Sequence, residues 1–287
     1  MKVEVLEPKG YCSGVVRAID IALKAKREHP NEKIYVFGML VHNHETINFL
    51  KEKGIETIFE TNKEAIENLQ KGSVLVFTAH GHDEKIEEYV LANGLTTYDA
   101  TCPVVKGNIK TIKDKLLNGY KVIFIGKKNH PETNAVLSIS KDIYLFDDTL
   151  LKNNYLSTNT NIFVANQTTL NYKELLDIHN EIKATFPHAK IINEVCSTTR
   201  LRQERIRNLS KDVDLVLVVG STSSNNTMKL YGIAKELYGD KAILLESARD
   251  LDLQAIKNKK YAVISSGAST PIETIEAIEK LLKDLND

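Results

Sequence analysis

A short strand-like run of largely aliphatic and aromatic residues ending in glycine occurs three times in this chain, at Ile34–Gly38, Val122–Gly126 and Leu215–Gly220. Each is followed by two further strand-like runs in the same order: Ile55–Phe59 then Val74–Phe77, Ile143–Phe146 then Ile162–Val164, and Ala242–Leu245 then Tyr261–Ile264. The remaining runs, Val3–Leu6, Thr96–Tyr98 and Lys190–Val195, lead to the three cysteines of the chain, Cys12, Cys102 and Cys196, which stand 90 and 94 residues apart. Self-similarity at a fixed period marks a repeated structural unit. After Cys12 the residues Val15, Val16, Ile19, Ala22 and Leu23 recur at helical spacing, as do Val105, Ile109, Ile112 and Leu116 after Cys102. Each cysteine is therefore expected where the C-terminal end of a strand gives way to a helix.

Strands that alternate with helical stretches require crossover connections, which in one sheet means parallel strands with right-handed crossovers and helices on the faces. The expected fold class is α/β, built as three related αβα units with mostly parallel four-stranded sheets, over residues 13–101, 102–195 and 196–287. Units of about 95 residues are close to ordinary domain size. A hydrophobic content of 42% and no low-complexity stretch indicate a globular chain throughout, so the unit boundaries should be packed interfaces.

Charge excludes several partners. Thirty-eight basic residues balance 38 acidic ones, there is no basic stripe and no Trp, and a nucleic-acid groove has no electrostatic support. No apolar run approaches the length that spans a bilayer, and the chain enters a strand at once without an apolar signal core. Three widely spaced cysteines argue against a disulfide framework and for a reducing compartment. A cytoplasmic chain, active as a monomer and without membrane or nucleic-acid partners, is the expectation.

In open parallel sheets ligands bind beyond the C-terminal strand ends, where helix N-termini supply donors. Every series above ends there. Three thiols in register could serve one metal centre, and three thiolates leave a tetrahedral or cubane site one ligand short, which distinguishes a reactive site from a structural one. The absence of a C-x-x-C pair is unusual for zinc and for iron–sulfur alike, so spacing alone does not select the metal. The turns at the other strand ends carry His42, His80, His130, Asn166-Gln167-Thr168-Thr169, Ser223-Ser224-Asn225-Asn226 and Ser265-Ser266-Gly267-Ala268-Ser269. Neutral donors, imidazoles and helix N-termini with no obligatory Lys or Arg suit a small polyanion such as a diphosphate. Glu132 is the odd member: a carboxylate facing an anion is costly unless it carries or passes on a proton, which makes it the candidate general acid. His29, His44, His82, His179 and His188 lie in helix-like or polar stretches and are expected to be solvated. Thr270-Pro271-Ile272-Glu273 reads as a capping box with proline at the first helical position.

Taken in order, Gly10-Tyr11-Cys12-Ser13-Gly14-Val15, Val41-His42-Asn43, Ala79-His80-Gly81, Asp99-Ala100-Thr101-Cys102-Pro103, His130-Pro131-Glu132, Gln167-Thr168-Thr169, Cys196 with Thr198-Thr199 and Arg202-Gln203, and Ser269-Thr270-Pro271 closely resemble the LytB-type 4-hydroxy-3-methylbut-2-enyl diphosphate reductases of the non-mevalonate isoprenoid pathway. The resemblance implies a cloverleaf of three αβα units around a [4Fe–4S] cluster, held by Cys12, Cys102 and Cys196 with the fourth iron open, and residues 1–12 completing the sheet of the third unit. It implies two-electron reductive removal of the allylic hydroxyl to give isopentenyl and dimethylallyl diphosphate, with Glu132, aided by Thr168, supplying a proton. It assigns His42, His80, His130, Ser224, Asn225, Asn226 and Ser269 to the diphosphate. Where the family commonly reads Ser-Ser-Asn this chain has Ser224-Asn225-Asn226, so the middle position offers an amide, which can still donate to a phosphate oxygen. No redox module is fused to the chain, which implies an external ferredoxin- or flavodoxin-like electron donor. A cysteine-ligated zinc hydrolase or deaminase, and a non-catalytic phosphate-binding or redox-sensing protein, are the competing readings.

Overall fold

Among the described residues every strand pairing is parallel, and the strands form three four-stranded sheets. The computed structural model describes residues 1–147, 150, 156, 157, 159–192 and 195–284. In chain order it opens with β1 (Lys2–Val5) and α1 (Ser13–Glu28), then β2 (Ile34–Phe37), α2 (His44–Glu52), β3 (Ile55–Ile58), α3 (Lys63–Glu67), β4 (Val74–Phe77), α4 (Glu84–Ala92) and β5 (Thr96–Asp99). It continues through α5 (Pro103–Leu117), β6 (Lys121–Ile125), α6 (Pro131–Leu137), β7 (Ile143–Leu145), β8 (Ile162–Asn166), α7 (Tyr172–Thr185) and β9 (Lys190–Ile191). The last stretch holds α8 (Ser197–Arg207), β10 (Leu215–Val219), α9 (Asn225–Tyr238), β11 (Ala242–Leu245), α10 (Leu253–Ile256), β12 (Tyr261–Ser266) and α11 (Ile272–Asp284).

The sheets share one strand order: β3-β2-β4-β5, β7-β6-β8-β9 and β11-β10-β12-β1. In each, one strand, β2, β6 or β10, sits beside both of the strands that follow it in the chain, so the order reverses between them. That reversal is the topological switch point at which open α/β sheets bind ligands. The third sheet takes its outer strand from the start of the chain, with Lys2 opposite Tyr261 and Val5 opposite Ile264.

Burial explains the strand sequences. Val74–Phe77, Ile162–Asn166 and Leu215–Val219 are buried at every position, because a central parallel strand is covered on both faces and reads as an unbroken apolar run. The outer strand β1 instead alternates exposed and half-buried positions. Each fully buried Leu, Ile, Val or Phe contributes roughly 1.5–3 kcal/mol of hydrophobic stabilisation before chain entropy is subtracted. Helix α11 buries Ile275, Ile278 and Leu282, a stripe at helical spacing, against Leu217, Val219 and Ile264 of the third sheet.

The chain forms two bodies. Residues 1–16, 42–46 and 196–287 make the first, which contains the sheet β1-β12-β10-β11. Residues 17–41 and 47–195 make the second, which contains the other two sheets.

Several local expectations change. The polar pair Ser265-Ser266 and Asn166 belong to strands rather than turns, since ladder pairing continues through Val219–Ser266 and Ile125–Asn166. Helix α11 begins after Pro271, and the Thr270 hydroxyl donates to the Val219 carbonyl at 3.0 Å instead of capping the helix. Strand β9 keeps only Lys190 and Ile191 of the expected run, and its Asn193 and Glu194 lie outside the described residues. His179 is buried on the inner face of α7, and His82 stacks on Phe77 at 3.8 Å between ring centroids with its Nε2 2.9 Å from Glu87, so neither is a solvated histidine.

Candidate active site

The cysteines occupy equivalent places, but these are helix starts rather than strand ends. Each immediately precedes a helix, α1, α5 or α8, and its carbonyl accepts the first helical hydrogen bond: Val16 N–H to Cys12 at 3.0 Å, Lys106 N–H to Cys102 at 2.9 Å, Arg200 N–H to Cys196 at 2.9 Å. None is in a disulfide and all three are half-buried. Two of them hang from a neighbouring strand end by the same bond, Cys12 N–H to Ala268 O at 3.0 Å and Cys102 N–H to Ala79 O at 2.9 Å. Ala268 follows β12 and Ala79 follows β4, the third strands of their sheets, so the repeat extends to the backbone that presents the thiol.

In the second body a chain of contacts joins four of the expected residues. His80 and His130 meet edge to face at 5.5 Å between centroids. His130 caps α6, its Nδ1 accepting the Glu132 N–H at 3.1 Å, which assigns the remaining proton of a neutral ring to Nε2. The Glu132 carboxylate then accepts the Thr168 N–H at 2.8 Å and the Thr168 hydroxyl at 2.9 Å. Glu132 is 1% exposed. Burial lifts its pKa to about 7, against the two Thr168 hydrogen bonds that favour the carboxylate. A helix N-terminus also favours an anion, but the loss of water outweighs it here. A carboxyl poised near neutrality can both hold and release a proton under ordinary conditions.

In the first body the turn after β12 joins the others. The Ser269 hydroxyl donates to the His42 carbonyl at 3.1 Å. Ala268, which holds the Cys12 N–H, donates its own N–H to Asn226 Oδ1 at 2.9 Å, and Asn226 Nδ2 donates to Thr199 Oγ1 at 3.2 Å. Asn226 thereby ties α9, α8 and the β12 turn together. Ser224 caps α9 by accepting the Thr227 N–H at 3.3 Å, and Asn225 is buried in the first turn. The turn tolerates no side chain at Gly267, where a Cβ would lie 2.1 Å from Thr227 Oγ1.

Arg202 is the residue the motif reading underused. It is buried, its Nη1 donating to Ser266 O at 2.6 Å and Ser266 Oγ at 2.9 Å and its Nη2 to Gly10 O at 2.7 Å. The buried residues of α8, Thr199, Arg202, Gln203 and Ile206, follow the i, i+3, i+4, i+7 spacing of an inward face. That spacing was visible in sequence, but a face made of polar residues escapes a search for apolar periodicity.

A groove of about 950 Å³ in the second body, bounded by α4 and α5, includes none of Glu132, Thr168 and His130. Its walls carry the ion pairs Lys106–Asp99 and Lys113–Glu84 beside apolar residues such as Ile109, Leu116 and Ile139.

A family model for the LytB protein matches residues 3–283. The chain belongs to the LytB family. Its curated LytB relatives include the 4-hydroxy-3-methylbut-2-enyl diphosphate reductases of Geobacillus thermodenitrificans, 36% identical over 294 residues covering 100% of this chain and 92% of that protein, and of Listeria monocytogenes, 36% identical over 289 residues covering 100% and 87%. Among solved structures, the reductase of Plasmodium falciparum superposes with a TM-score of 0.88 at 29% identity, covering 100% of this chain and 88% of that one. A second, described as the terminal enzyme of the non-mevalonate pathway, gives a TM-score of 0.71 at 29% identity, covering 99% and 100%. The three-sheet α/β architecture is thus the one shared by solved LytB-family structures. Among the described residues no helix is long and apolar enough to cross a membrane.

Proposed function

We propose that this LytB-family chain reduces 4-hydroxy-3-methylbut-2-enyl diphosphate to isopentenyl and dimethylallyl diphosphate, using a [4Fe–4S] cluster held by Cys12, Cys102 and Cys196 with one iron left open. The match over residues 3–283 carries the reading. The donor set fits the group: three cysteines outside any disulfide, each presented by the backbone at the start of a helix, form the soft anionic set that iron–sulfur clusters take. When bound, such a cluster supplies electrons one at a time and a Lewis-acidic iron.

The chain's own residues handle the proton and the anion. Overall, the allylic C–O bond breaks, a C–H bond forms, and two electrons and two protons are consumed as the hydroxyl leaves as water. Glu132, protonated near neutrality and fixed by Thr168, delivers the proton that makes water the leaving group. His42, His80, His130, Ser224, Asn225, Asn226 and Ser269 bind the diphosphate, with the N-terminus of α9 at Asn225 adding backbone donors. The same reading takes residues 13–101, 102–195 and 196–287 as the three functional units, the last completed by residues 1–12. It takes the chain as a cytoplasmic monomer served by an external ferredoxin- or flavodoxin-like donor.

Protein purified or reconstituted without oxygen should contain iron and acid-labile sulfide in equal amounts and, given a low-potential reductant and the allylic diphosphate, release both isomeric products. Zinc in place of iron would sink the cluster. A full cluster that forms neither product would sink the activity.

A further inference from the structure

Arg202 is 2% exposed, yet among the described residues its hydrogen bonds go to neutral oxygens: Ser266 O, Ser266 Oγ, Gly10 O and, at 3.5 Å, Gly267 O. Among the described residues its Nε has no acceptor. Burying a cation without an anionic partner is costly, and a neutral donor could serve two carbonyls without that cost. The charge itself therefore needs an explanation. Burial lowers the guanidinium pKa to about 10, so it remains cationic at neutral pH, and the groups that act to keep it charged are Cys12, Glu7 and Cys196. Glu7 is exposed and screened by solvent. The geometry points to the sulfurs: Nη2 holds the Gly10 carbonyl two residues before Cys12, Nη1 holds the Ser266 carbonyl two residues before the Ala268 that anchors the Cys12 N–H, and Cys196 immediately precedes the helix that carries Arg202, all within one body.

We propose that Arg202 is a positioning residue that fixes the Gly10 and Ser266 backbones and sets a permanent positive charge against the centre ligated by Cys12 and Cys196, raising the potential at which that centre accepts electrons. The inference rests on the cluster reading above. A thiolate-ligated centre becomes more negative on reduction, and a fixed cation in a low-dielectric surrounding stabilises the more negative state more strongly. Arginine suits the place because it holds its proton where a buried lysine readily loses it, and because its planar fork reaches two separate backbone segments at once.

The test is a redox titration, followed by electron paramagnetic resonance, of full-chain wild type, Arg202→Lys and Arg202→Gln at matched iron and sulfide content. In Arg202→Lys the potential should match wild type at low pH, where the lysine is charged, and fall as rising pH removes its proton, whereas Arg202→Gln should weaken reduction at least tenfold at every pH, a drop of about 59 mV for one electron. Unchanged potential in a fully loaded Arg202→Gln protein overturns the proposal, as does an equal shift in both variants that persists at low pH, which would mean that shape and not charge matters. If Arg202→Gln fails to fold, wild type labelled with ¹⁵N in its arginine guanidinium groups decides. Pulsed resonance of the reduced protein should show a ¹⁵N coupling that Arg202→Lys lacks, and its absence overturns the proposal. Wild type that takes up no iron or sulfide overturns the cluster reading and this inference together, whereas a loaded wild type without the coupling overturns this inference alone.

Discussion

Both oxygens of the Glu132 carboxylate are held by one residue, Thr168, through its N–H at 2.8 Å and its hydroxyl at 2.9 Å. The pairing fixes where the acid points while leaving its pKa near 7, because burial opposes the two hydrogen bonds.

Glu132→Gln keeps the shape and removes the acid. Turnover should fall by about 10²–10⁴-fold, the usual contribution of a positioned acid, with iron and sulfide content unchanged. Steady-state kcat at matched loading checks this, and near-normal turnover would remove Glu132 from the role. In wild type, kcat should decline through pH 7 and above as the carboxyl loses its proton.

The same group makes stability depend on pH. Its pKa is higher folded than unfolded, so its contribution is complete below about 4.5, the unfolded value, and is lost as pH rises through about 7. The loss amounts to about 3 kcal/mol. Urea unfolding of the metal-free protein should therefore show Glu132→Gln gaining on wild type by that order between pH 4.5 and 8. A difference that stays flat across this range would contradict the raised pKa.

Thr168→Val removes the hydroxyl and keeps the N–H. With one fewer bond to the ionised form, the Glu132 pKa should rise further, moving the alkaline decline of kcat to higher pH. A pH–rate profile reads the shift directly, and an unmoved limb would show that Thr168 does not tune the acid.

Gly267→Ala tests the close packing beneath the β12 turn. A Cβ there would sit 2.1 Å from Thr227 Oγ1, and such overpacking costs about 1–3 kcal/mol. Thermal unfolding should show the loss, with partial recovery when Thr227→Ala is added. Equal melting temperatures for wild type and Gly267→Ala would mean that the turn yields freely.

The sheets were legible because their central strands are long apolar runs punctuated by glycine, and that pattern survives in a single sequence. The cysteine positions were legible as a register but not as geometry: Cys12 lies well beyond the end of β1, and what the three share is the helix that begins after each. The site residues entered by motif, yet the bonds that organise them are long-range. Ser266 and Asn166 looked like turn residues because polar side chains end both strands. In the fold Ser266 receives Arg202, and the Asn166 carbonyl receives Asn108 Nδ2 at 2.9 Å. A buried polar residue is satisfied by a partner far along the chain, and local pattern carries no trace of it. His179 was misjudged for a related reason, since its place on the inner face of α7 is set by neighbours that a polar local sequence does not disclose.

The pairing of β1 with β12 sets a timetable. Glu4 and Tyr261, joined side chain to side chain, are 257 residues apart, a separation that takes on the order of ten seconds or more to synthesise at ordinary ribosomal speed. Throughout that interval β1 has no neighbour, and the Cys12 turn lacks the Ala268 carbonyl that anchors it. The other two sheets can close much earlier, from strands that lie within one stretch of chain. The backbone anchor that presents Cys12 is thus made only when nearly the whole chain exists.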